Sequence, residues 1–281
     1  MDNEVLQIVV SEAVERALNE DLGGRGDVTS QATVPASTEA GFDLVARAGG
    51  VLSGVAAAGE TFVRVDPRIV VDWRLGEGDR LEPGSVIARL EGPARSVLTA
   101  ERTALNFLGH LSGIATSTRA YVDAVAGTGV QIAHTRKTTP GLRALELAAV
   151  IAGGGARHRF GLDDAILIKD NHVAVSGGVA QAVERARRWA GHMMRVAVEV
   201  DRLDQLDQAM DAGADSVLLD NFSLADLAAA VAQARGRGIT LEASGGVSID
   251  TVRAIAETGV DVISVGAMTH SATCLDLGLD A

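Results

Sequence analysis

The hydrophobic and polar positions follow two different patterns along the chain, and the pattern changes near Gly129. Residues 4–19 carry apolar side chains at helical spacing and run into a glycine-rich stretch, which predicts an opening helix. From Ala40 to Leu90 the apolar runs are short and are separated by Gly, Pro and Asp, as is typical of strands and turns. The first part of the chain is therefore predicted to form a small α/β domain built on a sheet.

A long helical pattern follows in residues 98–127, and Gly109 and Gly113 lie inside it. Because glycine disfavours a helix interior by about 1 kcal/mol, we expect the helix to break near these two positions. We place the domain boundary there, with residues 1–113 as the N-terminal domain and residues 114–281 as the C-terminal domain. The last residues of the chain are expected to pack back on the N-terminal domain.

After Gly129, short β-rich runs alternate with helical segments. The runs predicted as strands are residues 130–133, 165–168, 196–198, 216–219, 239–241 and 262–265. The later strands are separated by amphipathic helices, predicted in residues 203–213, 223–238 and 248–259. Repetition of strand, helix and parallel strand indicates βαβ units, and six strands favour a (β/α) barrel with fewer than the usual eight. A doubly wound open sheet is the competing architecture.

Composition and charge narrow the classes of function. The 281 residues are 47% hydrophobic, which is enough for a sizeable core, and they carry a formal net charge of −12. This charge argues against a broad surface for nucleic acid or for an anionic membrane, because both attract basic proteins. Cys274 is the single cysteine, and the first ten residues lack the basic segment of a signal peptide. We therefore expect a cytoplasmic protein that binds neither nucleic acid nor membranes.

Charged and glycine-rich groups follow the predicted strands. In barrels, the loops after the carboxyl ends of the strands converge on the functional site. The groups found at these positions are Arg136 and Lys137, Lys169, Glu199, Asp220, Ser244 with Gly245 and Gly246, and Gly266. Between residues 136 and 159 the basic side chains outnumber the single acid, Glu146, although the whole chain is acidic. The sequence therefore predicts a site for a small polyanion that carries carboxylates or phosphates.

Glu199 and Asp220 end neighbouring predicted strands, so we expect their carboxylates at the same mouth. The sequence leaves three roles open for these two carboxylates. They could hold a divalent cation, stabilise a cationic transition state, or neutralise Lys137 or Lys169. Lys169 is also placed where an aldolase would carry its Schiff-base lysine. The glycines after the last strands would let main-chain N–H groups approach a phosphate. The histidines show no metal-binding spacing and are expected to form hydrogen bonds.

A series of longer motifs extends in order over nearly the whole chain. The motifs are EDLGGRGDVTS, GPARSVLTAERTALNFLGHLSGIAT, TRKTTPGLR, GGGARHRFGLDDAILIKDNHV, VAVEVD, LLDNF, EASGGV and VGAMTHS. This series resembles the quinolinate phosphoribosyltransferase family, and motifs of this length in this order are highly specific. The resemblance implies an α/β protein with an N-terminal α/β sandwich domain and a C-terminal open (β/α) barrel of about six strands.

The resemblance also implies an activity. Members of the family convert quinolinate and phosphoribosyl pyrophosphate, with Mg²⁺, to nicotinate mononucleotide, pyrophosphate and CO₂, and this reaction feeds NAD biosynthesis. The family forms homodimers, in which Arg102 of the partner subunit would reach the substrate.

By the same resemblance, residue roles divide by substrate. The residues that would bind the carboxylates of quinolinate are Arg102, Arg136, His158 and Arg159. The residues that would contact the diphosphate, the ribose and Mg²⁺ are Lys137, Lys169, Glu199 and Asp220, with Glu199 and Asp220 as the metal ligands, directly or through water. The residues that would surround the 5′-phosphate are Ser244, Gly245, Gly246, Gly266 and His270.

The chain departs from the family's pattern beside these motifs. The family usually has an acidic residue at the position of His134 and asparagine at the position of Arg157. It usually has lysine, tyrosine and arginine where this chain has Leu147, Ala148 and Ile151. These departures bear on the choice of acceptor more than on the fold.

Two alternatives remain open on the sequence. Paralogues linked to molybdenum transport operons share the TRKTTPG motif but normally lack the KDNH motif, which this chain has at residues 169–172. Such a paralogue would act on another anionic acceptor. The second alternative is a barrel that binds a phosphorylated ligand without catalysis.

Overall fold

The computed structural model describes residues 3–281. Met1 and Asp2, the first of the ten residues that lack the basic segment of a signal peptide, lie outside the described residues. The chain forms two compact units that are each discontinuous in sequence. The first unit comprises the chain up to Arg119 together with Thr138–Gly154 and Met268–Ala281. The second unit comprises Ala120–Lys137 and Gly155–Ala267. The proposed boundary between residues 113 and 114 stays a prediction.

The first unit is built on a four-stranded antiparallel sheet. Its strands are β1 (Glu39–Ala46), β3 (Val70–Trp73), β5 (Val86–Pro93) and β12 (Leu277–Asp280), in the order β12-β1-β5-β3. Two short strands, β2 (Gly50–Val51) and β4 (Arg80–Leu81), form a separate pair. The strands predicted between Ala40 and Leu90 are confirmed, and the last strand of the chain pairs with β1.

Helices cover this sheet. Those that lie in or begin in the first unit are α1 (Asn3–Leu22), α2 (Val28–Thr33), α3 (Val55–Val65), α4 (Ala94–Ala124) and α5 (Arg143–Ala152). The opening helix is confirmed as α1. The core cluster of this unit includes Phe42 of β1, Phe62 of α3 and Leu108 of α4, which are all buried. These packed layers of sheet and helix make the N-terminal α/β sandwich.

Helix α3 lies in a stretch that the sequence pattern assigned to strands and turns, and that assignment was wrong. The helix begins after Gly54, whose φ is +97°. Its first main-chain N–H groups are satisfied from a distant part of the chain, because Gly54 and Val55 both donate to the Oε1 atom of Glu77 at 2.8 Å. A side chain more than 20 residues away replaces the usual local cap, so no start signal is visible in the sequence.

The expected break of the long helix was also wrong, because α4 runs without interruption through Gly109 and Gly113. Both glycines face the segment that leads into β12. The N–H of Leu275 donates to the carbonyl oxygen of Gly109 at 2.9 Å. A Cβ atom on Gly113 would lie 2.2 Å from the carbonyl oxygen of Thr273. The glycines therefore provide the space in which the C-terminal segment packs against the helix.

Substitution of Gly113 by alanine is expected to lower the free energy of unfolding by about 1 to 3 kcal/mol, because the new methyl group overlaps a main-chain oxygen. Gly59 of α3 is a matched control, since a Cβ atom there would meet only Trp73 at 3.8 Å. Gly59→Ala is expected to leave stability unchanged or raise it by up to about 1 kcal/mol. Denaturant unfolding of the two variants measures the difference, and equal effects would contradict this account.

The second unit contains a six-stranded parallel sheet. Its strands are β6 (Gln131–Ala133), β7 (Ile166–Ile168), β8 (Val196–Val200), β9 (Ser216–Asp220), β10 (Thr240–Ser244) and β11 (Val262–Ser264). Their order is β6-β11-β10-β9-β8-β7, with every neighbouring pair parallel. The order follows the chain from β7 to β11 and then returns to β6, without the reversal that marks a doubly wound sheet. The open (β/α) barrel of six strands is confirmed.

Short helices follow the barrel strands β7 to β11. They are α6 (Asp170–Ser176), α7 (Val179–Trp189), α8 (Leu203–Asp211), α9 (Leu224–Ala234), α10 (Val252–Glu257) and α11 (Ala267–His270), the last of which begins in the second unit and ends in the first. The three predicted helices are confirmed as α8, α9 and α10, although α10 begins four residues later than the pattern suggested. No helix in the described part of the chain has the length and apolar character of a membrane span.

Candidate functional site

A cavity of about 620 Å³ opens at the carboxyl ends of the barrel strands, and all of its lining residues belong to the second unit. Most of the residues predicted for the site line it. These are Arg136, Lys137, His158, Arg159, Lys169, Glu199, Asp220, Ser244, Gly245 and Gly246. They come from the ends of different strands, so the parallel arrangement of the barrel brings them together. The strand-end argument therefore placed Arg136, Lys137, Lys169, Glu199, Asp220, Ser244, Gly245 and Gly246 correctly at this cavity, whereas the roles of these residues stay predictions.

Three predicted site residues are not among the described residues that line the cavity. Gly266 follows β11 at the strand end but is not part of the lining. Arg102 is an exposed residue of α4, and His270 is the exposed last residue of α11. Both belong to the first unit. Their roles stay predictions.

Two arginines bring buried donor groups to the cavity. The Nε atoms of Arg136 and Arg159 are buried and have no hydrogen-bond partner among the described residues. Burial, and then the charge of Arg136, lower the pKa of the Arg159 guanidinium below its usual value. Two neighbouring guanidinium groups with buried, unpartnered Nε donors favour an anionic ligand, which would satisfy these donors and relieve their repulsion.

His134 and His158 contact each other in the lining of the cavity. The main-chain N–H of His158 donates to Nε2 of His134 at 3.0 Å, and the two rings meet edge to face with centroids 6.2 Å apart. Burial, and then the nearby His158, lower the pKa of His134 to about 4. His134 is therefore neutral at physiological pH, and its Nε2 atom is free to accept a hydrogen bond.

Glu242 is a cavity residue that the sequence reasoning missed. It is 4% exposed, its Oε2 atom lies 3.3 Å from Nε2 of His158, and its Oε1 atom has no partner among the described residues. The predicted strand ended at residue 241, whereas β10 continues to Ser244 and carries Glu242 into the barrel mouth. The EASGGV motif contained this acid, but only the correct strand length shows that it faces the site.

Lys169 and Glu199 form an ion pair across the cavity. The Lys169 side chain is 47% exposed, whereas the Glu199 side chain is 11% exposed. One of the expected ion-pair partners is therefore present, and Lys137 is a further exposed cation at the same mouth. Because the lysine is solvated, an incoming anion can draw its ammonium group away from the carboxylate.

Asp220 and the glycine turn after β10 lie side by side. Ser244 is the direct neighbour of Asp220 in the sheet, and Asn221 donates its Nδ2 hydrogen to Oδ2 of Asp220 at 2.9 Å. Gly245 has a φ of +88°, and a Cβ atom there would lie 2.3 Å from the side-chain oxygen of Asn221. Glycine is therefore required at this position, and the exposed turn leaves main-chain groups open to a ligand.

The carboxylates of the cavity fit a magnesium ion that is bound mainly by substrate. No group of three or more His, Cys, Asp or Glu side chains that could hold a metal occurs in the described residues. Mg²⁺ commonly takes one or two carboxylates and completes its shell with phosphate oxygens and water. Glu199 and Asp220 both line the cavity and supply this donor set.

The departures from the family's pattern fall mostly outside this cavity. Leu147, Ala148 and Ile151 lie on α5, which belongs to the first unit. Glu146 is fully buried on the same helix and pairs with His110 at 2.8 Å, so it does not offset the arginines of the cavity. Arg157 is exposed and does not belong to the lining. Among these positions, His134 is the departure that lines the cavity.

The buried His134 is expected to make stability depend on pH. Its folded pKa of about 4 lies below the unfolded value of 6.5, so the unfolded chain binds the proton more tightly. Its contribution to stability is complete above pH 6.5 and is lost as the pH falls toward 4. Between pH 7.5 and pH 4.5 the free energy of unfolding should fall by about 2 to 3 kcal/mol more in the wild type than in His134→Gln. Denaturant unfolding at both pH values checks this, and parallel losses would contradict it.

Comparison with known proteins places the whole chain in one family. The model of the quinolinate phosphoribosyl transferase N-terminal domain matches residues 27–112, and that of the C-terminal domain matches residues 114–280. The chain is 46% identical over 276 residues to the nicotinate-nucleotide pyrophosphorylase (carboxylating) of Mycobacterium leprae, and the match covers 96% of each chain. It is 37% identical over 288 residues to a mitochondrial quinolinate phosphoribosyltransferase (decarboxylating) of Nicotiana tabacum, covering 96% of this chain and 81% of that one.

The fold agrees with the sequence matches. The structure of the nicotinate-nucleotide pyrophosphorylase from Francisella tularensis superposes with a TM-score of 0.94 at 40% identity, and the superposition covers 98% of this chain and 96% of that one. Family models match both domains, and the similarity in sequence and in structure covers nearly the full length of these relatives. The chain belongs to the quinolinate phosphoribosyltransferase family.

Proposed function

We propose that the protein transfers the phosphoribosyl group of phosphoribosyl pyrophosphate to quinolinate and releases pyrophosphate and CO₂, which gives nicotinate mononucleotide for NAD biosynthesis. The observation that carries this proposal within the site is the pair of buried Nε donors of Arg136 and Arg159 in a barrel-mouth cavity. A dicarboxylate such as quinolinate supplies the acceptor oxygens that these donors lack.

Quinolinate binds at the Arg136 and Arg159 end of the cavity. Each guanidinium can form two parallel hydrogen bonds to a carboxylate, which fixes the plane of the pyridine ring. Both ring nitrogens of His158 already have partners, since Nδ1 accepts the Arg159 N–H at 2.8 Å and Nε2 lies beside Glu242. Among the cavity residues assigned to quinolinate, the arginines are therefore the ones with donor groups to spare.

Phosphoribosyl pyrophosphate binds at the opposite side of the mouth. Ser244, Gly245 and Gly246 hold the 5′-phosphate through the glycine turn after β10, and Lys137 and Lys169 neutralise the diphosphate. Mg²⁺, when bound by Glu199 and Asp220 directly or through water, would withdraw charge from the diphosphate and make it a better leaving group. Arrival of the diphosphate would release Lys169 from Glu199, which frees that carboxylate to face the ribose.

The reaction has two steps, which are phosphoribosyl transfer and then decarboxylation. The pyridine nitrogen forms a bond to C1′ of the ribose while the bond from C1′ to the diphosphate oxygen breaks, and its electrons leave with pyrophosphate. The positive charge that develops on the ribose is stabilised by Glu199 and Asp220. The C2 carboxylate then leaves as CO₂, the ring nitrogen's positive charge stabilises the remaining electron pair, and C2 takes a proton.

We also propose a homodimer, in which Arg102 of the partner subunit contributes to quinolinate binding. The exposure of Arg102 on α4 is compatible with this role. A cytoplasmic location is likewise a proposal that rests on the sequence, with its single cysteine.

The proposal is tested by supplying Mg²⁺, phosphoribosyl pyrophosphate and quinolinate labelled in its C2 carboxyl group. Labelled CO₂ and nicotinate mononucleotide are expected in equal amounts, with no product from nicotinate as the control acceptor. Binding of phosphoribosyl pyrophosphate without either product would contradict the proposal and indicate another acceptor.

The full-length matches to carboxylating enzymes do not favour a molybdenum-operon paralogue or a barrel without catalysis.

A further inference from the structure

The segment that carries His158 and Arg159 depends on side chains for its position. Residues 157–160 have no regular secondary structure. The preceding Ala156 is tied to β6 by a parallel bridge to Ala133, and its N–H donates to the carbonyl oxygen of Ile132 at 2.7 Å. Beyond Ala156, the main chain leaves the sheet and must be held in the cavity by other contacts.

His134 provides the next contact along this segment. It accepts the main-chain N–H of His158 at 3.0 Å from a position that is 1% exposed. The neighbouring N–H of Arg159 donates to Nδ1 of the His158 ring at 2.8 Å, and Glu242 faces the other nitrogen of that ring. His134 thus fixes the main chain, and Glu242 lies where it can fix the ring that the main chain carries.

This arrangement sets the direction of Arg159. The arginine follows the residue that His134 holds. Its Nη1 atom donates to the carbonyl oxygen of Ala165 at 3.4 Å, and its buried Nε atom has no partner among the described residues. Ser244, Gly245 and Gly246, which are assigned to the 5′-phosphate, form no hydrogen bond with His134 in the part of the chain that the structure describes. The effect of His134 is therefore expected on one substrate rather than on both.

We propose that His134 is a positioning residue for quinolinate, which holds the His158 and Arg159 segment by accepting the main-chain N–H of His158 at Nε2. The inference rests on the proposed function, because it assigns Arg159 to the acceptor acid. It adds a role for a buried residue of the cavity lining, for which the sequence predicted only hydrogen bonding. A carboxylate could accept the same N–H, but a neutral imidazole does so without neutralising the two arginines.

Two substitutions separate the hydrogen bond from the ring. His134→Phe keeps an aromatic ring but removes the acceptor, whereas His134→Gln keeps a polar atom at about the reach of Nε2. His192→Phe is the matched control, because His192 is an exposed residue of a loop outside the cavity. For each protein we would measure KM for both substrates, kcat, the Kd of quinolinate by calorimetry and the thermal midpoint.

His134→Phe is expected to raise KM and Kd for quinolinate about 5- to 100-fold, the range for leaving a buried N–H without an acceptor. The KM for phosphoribosyl pyrophosphate should stay within about threefold, and His134→Gln should recover most of the quinolinate affinity. His192→Phe should match the wild type. A purely structural role for His134 would instead weaken both substrates together and would lower the thermal midpoint without rescue by glutamine.

The outcomes distinguish this inference from the proposed function. Wild-type turnover of quinolinate with unchanged quinolinate affinity in His134→Phe would overturn the inference alone. Parallel losses for both substrates in His134→Phe and His134→Gln would also overturn it. A wild-type protein that binds no quinolinate in calorimetry would overturn both proposals. If His134→Phe does not fold, His134→Leu, which also lacks the acceptor, takes its place. Unchanged quinolinate affinity in that variant would overturn the inference.

Discussion

Substitution of Arg136 by alanine is expected to lower kcat/KM for quinolinate by about 30- to 1000-fold, which corresponds to about 2 to 4 kcal/mol. The guanidinium lies in the cavity with a buried Nε donor that has no partner among the described residues. Its removal would leave a substrate carboxylate desolvated without a counterion. The loss should appear mainly in the quinolinate KM, because Arg136 is assigned to the acceptor and not to the phosphates.

Arg157→Ala is the matched control for this substitution. Arg157 belongs to the same cation-rich stretch of sequence, but it is exposed and does not line the cavity. Surface substitutions of this kind usually change free energies by less than about 0.5 kcal/mol. Steady-state kinetics with each substrate varied in turn would compare the two variants. Wild-type kinetics in Arg136→Ala, or equal losses in both variants, would remove Arg136 from the acceptor site.

The reversal of charge between the whole chain and the cavity follows from the barrel. The chain carries a net charge of −12, yet Arg136, Lys137, Arg159 and Lys169 converge on one mouth because each follows the end of a strand or of a bridge to one. Glu146, the single acid between residues 136 and 159, is fully buried and pairs with His110. The electrostatic field at the cavity therefore depends on which side chains the topology brings together, and not on the average composition of the chain.

The sequence was sufficient for the barrel and for most of its mouth, because parallel strands produce short apolar runs whose ends share one edge. It failed where a distant contact decides local structure. Gly109 and Gly113 were expected to break a helix, but they provide space for the C-terminal segment. A Cβ atom would overlap the carbonyl oxygen of Thr273 at Gly113 and would lie 3.0 Å from that of Leu275 at Gly109. The start of α3 was hidden because Glu77 supplies its cap.

The omission of Glu242 and of the contact made by His134 has a related cause. The pattern placed the end of β10 at residue 241, so the acid after it was not assigned to the barrel interior. The hydrogen bond from His158 to His134 joins residues 24 positions apart through a main-chain N–H group, which leaves no signal in side-chain periodicity. Side-chain chemistry at strand ends can be predicted from sequence, whereas the support of those side chains depends on tertiary packing.

Glu199→Gln is expected to lower kcat by about 100- to 1000-fold, or about 2.7 to 4 kcal/mol, while the KM for quinolinate changes little. The carboxylate is 11% exposed on its side chain and pairs with Lys169, so it is held in a cavity where charge is weakly screened. Its negative charge matters most when positive charge develops on the ribose, and glutamine keeps the shape without the charge. The loss should therefore appear in the chemical step.

Asp201→Asn provides the control, because Asp201 lies two residues further along the chain, is 68% exposed and pairs with Arg202 at 3.3 Å. It should retain wild-type kcat within about twofold, since exposed ion pairs contribute little. Single-turnover measurements would separate transfer from product release in Glu199→Gln. A slow transfer step would support stabilisation of the ribose charge by Glu199. Normal transfer followed by slow product release would limit Glu199 to a role in binding Lys169. A kcat near that of the wild type would exclude Glu199 from the chemistry altogether.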